Sequence, residues 1–174
     1  SWGNHTRTKG LNVLCPYPEG PRSFRTASTS LCVIGLLTSP LKEDPAVKAS
    51  LDKALQYLLT TLPTLKRGDT RTVLGVWGHA YGLSALSRAA RNLPADAPLR
   101  EELKKVASLQ VKALDQMADV QGGWGYYTFE TFSKRPIGEP TSFLTATVLL
   151  AYKDAEQAFG LKAEPRVVKR AVAC

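Results

Sequence analysis

An all-α fold, arranged as an α/α toroid or an open arc of one, is what this 174-residue sequence predicts. Three observations carry the expectation. The first is a repeat. Pro21-x-Ser23-Phe24-x-Thr26-Ala27-x-x-x-Leu31 returns 119 positions later as Pro140-x-Ser142-Phe143-x-Thr145-Ala146-x-x-x-Leu150. Trp2-Gly3 returns as Trp124-Gly125, 122 positions on, and Asp44-Pro45-Ala46-Val47 as Glu164-Pro165-Arg166-Val167, 120 positions on. Three motifs in one order at nearly one spacing mark a repeat architecture. The second observation is six segments with helical signals and little sign of strand alternation. The third is that these segments alternate in character, apolar all round and then wet on one side, as an inner ring of buried helices and an outer ring of amphipathic ones require. About three inner/outer hairpins are visible, part of an (α/α)6-type barrel.

The first helix, about 24–37, carries only Arg25 as a charge. The second, about 45–62, has Asp44 as N-cap and Pro45 at its first position. Its stripe of Val47, Leu51, Ala54, Leu55, Leu58 and Leu62 lies opposite Lys48, Asp52, Lys53 and Gln56. The third, about 72–90, has no charge before Arg88, and Asp69 or Thr70 can cap it. Gly75, Gly78 and Gly82 cost it about 1 kcal/mol each relative to alanine. Their shared face predicts the close approach of a neighbouring helix or a ligand. The fourth, about 98–119, follows Asp96 and sets Leu99, Leu103, Val106, Leu114 and Met117 against Arg100, Glu101, Lys104, Lys105, Lys112 and Asp115. The fifth, about 142–152, is uncharged, with Gly160 as a stop signal. The sixth, about 165–174, ends where its counterpart has reached only Ala54, so the expectation is a fragment cut at both ends, with localisation left open.

Hydrophobic residues make up 44% of the chain and charged residues 22%, the balance of one folded domain spanning 1–174. Its repeat units are about 1–120 and an incomplete 121–174. No apolar run approaches the roughly 20 residues of a membrane span. The net charge of +8 permits association with an anionic membrane surface, but the basic residues are dispersed and read as a solvated surface, with no nucleic-acid partner expected. Cys15, Cys32 and Cys174 lack metal-ligand spacing and read as free thiols. Phosphate loops, Gly-x-Ser-x-Gly elbows and His-Glu-x-x-His motifs are absent, so neither a cofactor nor a metal is expected.

The segment 116–125, Gln-Met-Ala-Asp-Val-Gln-Gly-Gly-Trp-Gly, is an amphipathic helix end followed by a glycine-tryptophan turn. It resembles the glutamine-tryptophan repeat of squalene and hopene cyclases, the terpenoid cyclases, and of the related prenyltransferase β-subunits. The likeness implies a toroid in which Trp2 and Trp124 join successive repeats, with Gln116 or Gln121 as the glutamine that ties an outer helix. The cyclase acid motif Asp-x-Asp-Asp is missing, and Cys32 and His79 have no acid near them in the prenyltransferase zinc pattern. No catalytic residue is therefore assigned. The expected function is a binding or scaffold segment for an apolar, peptide or glycan ligand. The alternative is part of a terpenoid cyclase or prenyl-transfer enzyme whose acid or metal lies outside this chain. An isoprenoid-like ligand, and the rest of the ring or a second copy closing it, are the expected partners.

The candidate ligand-binding residues are Trp77, His79, Tyr81, Tyr126 and Tyr127. Trp77-Gly78-His79-Ala80-Tyr81 is the densest cluster of functional side chains on an inner helix. His79 can act as acid, base or ligand, or stand as a core histidine with Trp77 and Tyr81 packing beside it. The loops 3–20 and 125–139 follow the two tryptophans at matched places, and long loops often carry binding function. The second loop holds Tyr126, Tyr127, Phe129, Glu130 and Phe132. Its aromatics serve a ligand or lie over the helix ends as lids, and Glu130 is either an acid with a raised pKa or a solvated side chain.

Overall fold

A glycine-marked, almost uncharged helix occupies the middle of the molecule. The computed structural model describes residues 19–67, 71–128, 130 and 135–174. Within them stand α1 (Glu19–Thr38), α2 (Pro45–Thr61), α3 (Gly75–Arg91), α4 (Pro98–Met117), α5 (Ser142–Phe159) and α6 (Pro165–Ala173), with a 3-10 turn, Leu62–Thr64, after α2. No strand occurs among the described residues. Isolated bridges pair Thr72 with Tyr127 and Gly125 with Pro140. The all-α expectation holds.

Helix α3 packs against α1 on one side and α5 on the other, while α4 covers its back and α2 lies against α1. Two of the three glycines make this proximity feasible, whereas a Cβ at Gly75 would meet its neighbours at an ordinary 3.5 Å. A Cβ at Gly78 would stand 3.0 Å from Ser23 Oγ on α1, and one at Gly82 would stand 2.5 Å from Leu62 Cδ2. Ser23 uses the space to donate to Leu74 O at 2.9 Å and accept from Gly78 N at 3.2 Å. The close approach foreseen from the spacing is therefore made by α1 and the turn after α2. Around α3 the core is continuous, with Val33, Leu58, Leu83, Leu86, Leu103, Leu114, Leu144 and Val148 all buried. Each such leucine contributes about 1.5–3 kcal/mol of burial.

Helix boundaries follow local chemistry, with some shifts. Asp44 caps α2 by accepting from Ala46 N at 2.8 Å and Val47 N at 3.3 Å. At α4 the N-cap is Ala97, and Asp96 makes no capping bond to it. Helix α1 starts earlier than the apolar pattern suggested, at Glu19, whose carboxylate suits the positive end of the dipole and pairs with Arg22 at 3.2 Å. Helix α3 starts later, at Gly75, because Val73 N donates to Tyr126 O at 2.7 Å and holds that segment extended. The proposed caps Asp69 and Thr70 lie outside the described residues. Helix α5 runs on to Phe159 and is stopped by Gly160, whose φ of 70° is a left-handed C-cap.

Two polar clamps fix the layers. Arg88 and Arg91 of α3 hold Asp154 of α5 at 3.1 and 3.0 Å. Arg100 of α4 donates to Ala90 O at 2.6 Å and Ala158 O at 2.9 Å, placing a cation at the negative ends of α3 and α5 together.

The inner helices are not buried all round, contrary to what their uncharged sequences suggested. Phe24 and Leu31 of α1 are 46% and 47% exposed, and Phe143 and Leu150 of α5 are 54% and 63% exposed. On each helix these residues are seven apart and share one side. On α3, Trp77 and Tyr81 occupy the corresponding side. The opposite sides carry the contacts to the outer layer. One face of the α1–α3–α5 layer is thus apolar and open to solvent.

Candidate functional site

The site is built by the turn that follows α4. Gly122 and Gly123 take φ values of 117° and 72°, conformations that L side chains rarely adopt, and turn the chain sharply inward. Trp124 then enters the core and is fully buried. Its indole Nε1 donates to Leu114 O at 2.9 Å, and its backbone N donates to Thr145 Oγ1 at 3.1 Å. Its ring meets Tyr152 edge-on at 5.8 Å. Gln116 and Gln121 are both exposed, and the ties between helix end and turn run through Asp119. That buried carboxylate accepts from Gln121 N at 2.8 Å and from Gly138 N at 2.7 Å. Nearby, the Tyr152 hydroxyl donates to Asp115 Oδ1 at 2.8 Å, and Glu164 N donates to Oδ2 at 3.2 Å. Burial raises the Asp115 pKa against those bonds, and burial beside Asp115 raises that of Tyr152.

Past Trp124 the chain is held extended by the bridges to Pro140 and Thr72. This lays Tyr126 against α3 and α5. Trp77 and Tyr81, one helical turn apart, stack at 5.4 Å with 13° between planes. Trp77 lies 6.1 Å from Phe143 and 6.1 Å from Tyr126, and Tyr126 lies 6.0 Å from Phe143 and 6.3 Å from Tyr127. Five rings from α3, α5 and one loop therefore converge on the open apolar face. Trp77, Tyr81 and Tyr126 are half-buried, and Tyr127 is 38% exposed. Desolvation raises the Tyr126 pKa, so the phenol is neutral at ordinary pH.

Four of the five sequence-predicted residues, Trp77, Tyr81, Tyr126 and Tyr127, are brought together here. His79 is not. It points to the back of α3, where it is 2% exposed and its Nδ1 lies 2.6 Å from Gln110 Oε1. Phe143 belongs to the ring cluster but was not singled out from the sequence. Its signal was the repeat itself, since Phe24 and Phe143 are equivalent and both are exposed. Glu130 is exposed, and Phe129 and Phe132 lie outside the described residues, as do Trp2 and Cys15. Cys32 and Cys174 are free thiols. Among the described residues no three metal-type ligands cluster.

Comparison with known proteins finds no matching family model, no matching curated protein and no matching solved structure.

Burial lowers the His79 pKa from its ordinary 6.5, with the bond to Gln110 opposing it. The folded state then binds fewer protons than the unfolded chain just below that value. Stability contributed by neutral His79 is complete above about pH 6.5 and is lost as pH falls toward the folded pKa, by at most about 1.4 kcal/mol per pH unit. Urea unfolding at pH 7.5 and 5.5 checks this. His79→Gln is expected to show the smaller loss between the two.

Proposed function

We propose that the chain is an arc of an α/α toroid of the squalene-cyclase and prenyltransferase type, and that it is a binding segment whose inner aromatic face holds an apolar, isoprenoid-like ligand. The observation that carries the reading is the convergence of Trp77, Tyr81, Tyr126, Tyr127 and Phe143 on one open face flanked by Phe24, Leu31 and Leu150. Apolar surface of this extent on a folded domain marks a binding site more often than a bare exterior. Inner and outer helices in two layers, with the equivalent Phe and Leu of the two repeats exposed in the same way, support the toroid. Its interior is the side on which the rings lie.

An extended hydrocarbon suits the face better than a sugar does. Aromatic rings and aliphatic side chains dominate it, and the buried acid of α5, Asp154, is taken up by two arginines. The same occupancy keeps the reading at binding rather than catalysis. Between α1 and α2 lies a largely apolar groove lined by Cys32, Gly35, Leu36, Ala46, Val47 and Ser50, and Val172 of α6 is 72% exposed. Those are the edges at which the rest of a ring, or a second copy, would close it.

Farnesol titration followed by tryptophan fluorescence tests the ligand. Phe143→Ala and Trp77→Ala are each expected to weaken farnesol binding at least tenfold, about 1.4 kcal/mol. Phe143→Ala should leave unfolding within about 1 kcal/mol of wild type, because the ring is half exposed. Unchanged affinity in Phe143→Ala sinks the assignment of the face. Tighter binding of a cello-oligosaccharide than of farnesol reassigns it to glycans.

A further inference from the structure

The glycine turn after α4, the end of the loop that follows it and α6 enclose a cavity of about 340 Å³, lined by Arg135, Arg166 and Arg170 together with Gly122 and Val167. We propose that this cavity binds the terminal phosphate of a phosphate monoester, held by the three guanidinium groups. Local structure brings them to one place. On α6, Val167 and Ala171 are buried against the core, and Arg166 and Arg170, four residues apart, share the side that borders the turn. Gly122 packs the turn closely on α6, since a Cβ there would stand 2.6 Å from Arg170 O. Arg135 comes from the loop, near enough for its charge to act on Asp115. Cations from two separate segments thus meet at one cavity.

The chemistry of the lining selects the ligand. Arg166 has no hydrogen bond or ion pair among the described residues, and Arg170 gives one N–H to Val120 O at 3.3 Å. Most of their guanidinium donors are therefore available. Two carboxylates also line the cavity, Asp119 and Glu164. Asp119 is buried and committed, one oxygen accepting from Gln121 N and the other from Gly138 N. Glu164 is exposed, forms no ion pair with Arg166 or Arg170, and gives α6 no side-chain cap. The positive end of that nine-residue helix therefore adds to the cationic side. A metal cation would be repelled by three arginines, and a hydrocarbon would desolvate them without pairing them. A carboxylate has two oxygens in one plane and is taken up by a single guanidinium fork. A phosphate monoester spreads three terminal oxygens tetrahedrally and carries a charge of about −2, which matches guanidiniums arriving from two sides.

Chemical-shift titration of the ¹⁵N-labelled full-length protein at constant ionic strength reads the site directly. Glycerol 3-phosphate is expected to shift the Arg166 amide and the Arg170 guanidinium Nε–H saturably, with acetate at least tenfold weaker. Arg166→Gln should weaken glycerol 3-phosphate at least tenfold. Its side chain is exposed and unbonded, so the fold is not at stake. The chain carries a net charge of +8, so bulk attraction needs its own control. Lys104→Gln with Lys105→Gln removes two charges from exposed positions about 20 Å back along α4, and should change the affinity less than about twofold. The proposal is overturned if no signal saturates, if acetate binds as tightly, or if the lysine variant loses as much as Arg166→Gln does. Vesicles containing phosphatidate, whose headgroup is the same monoester, separate the sources. Co-sedimentation that Arg166→Gln abolishes assigns a lipid, and saturation by glycerol 3-phosphate without co-sedimentation assigns a soluble ligand. The cavity involves none of the five rings, so failure of farnesol binding on the aromatic face leaves this result independent.

Discussion

Trp124→Ala, which truncates the largest fully buried side chain among the described residues, is expected to lower the unfolding free energy by about 3–5 kcal/mol. Three effects act together. The indole is fully buried, so its removal opens a cavity between the end of α4 and α5. Leu114 O loses its donor. Tyr152 loses the edge-on ring partner at 5.8 Å, and Tyr152 is also the residue that anchors Asp115. Trp124→Phe narrows the contributions, because it keeps a buried aromatic ring while removing the N–H donor and part of the volume. Leaving a buried carbonyl unpaired costs about 1–3 kcal/mol, so this variant should fall between wild type and alanine. Equilibrium urea unfolding gives both numbers. A loss below about 1 kcal/mol for alanine would mean that the tryptophan fills space without joining the helices, against the geometry of its bonds.

How far these features were legible in the sequence depends on whether neighbours in space were also neighbours in pattern. The helices were legible because periodicity and capping are local: Asp44, the proline after it and Gly160 act within a few residues of themselves. The start of α3 was not, because Val73 and Thr72 are drawn into pairing with Tyr126 and Tyr127, more than fifty positions away. Total burial of the inner helices was misread for a related reason. An uncharged helix looks buried from its composition, yet Phe24, Leu31, Phe143 and Leu150 are exposed, and among the described residues no element lies over that side. The repeat could have exposed the error, since it retains a Phe and a Leu at the same two places in both copies.

The candidate residues separate along the same line. Trp77 and Tyr81 are four apart and share a helix face, so their stacking was implicit in the spacing. His79 lies two residues from each, and two residues on a helix turn a side chain by about 200°, toward α4 instead of the rings. The repeat is also unequal in ways that only packing explains. Ser23 is buried because α3 lies beside it, while its counterpart Ser142 is exposed at the start of α5. Thr26 and Thr145 are both buried, but only Thr145 receives the backbone N–H of a tryptophan turn within the described residues.

Asp119→Ala is expected to cost about 2–4 kcal/mol and to loosen one part of the molecule selectively. The carboxylate is 4% exposed and ties the glycine turn to a backbone N–H nineteen residues after Asp119 itself, accepting from Gln121 N in the turn and from Gly138 N at the far end of the loop. Hydrogen bonds to a charged acceptor contribute about 1.5–3 kcal/mol each, and removing the acceptor leaves the donors to find water. Gly138 has little room to adjust, since a Cβ there would collide with Tyr127 O. Releasing Gly138 N therefore frees the strand-like stretch that positions Tyr126 and Tyr127. Hydrogen exchange should accelerate at Val73 N, which donates to Tyr126 O, and at Thr128 N, which donates to Arg71 O. Amides within α1 and α2 should change only by the global loss of stability. Asp119→Asn keeps the shape but sets an amide NH2 against one of the two N–H donors, so it should recover only part of the stability and only one of the two protections. If exchange at Val73 and Thr128 rises no more than in α2, Asp119 stabilises the fold without holding the aromatic loop. Farnesol affinity in Asp119→Ala would then stay close to wild type, whereas a loop released from its anchor predicts a loss comparable to that of Trp77→Ala.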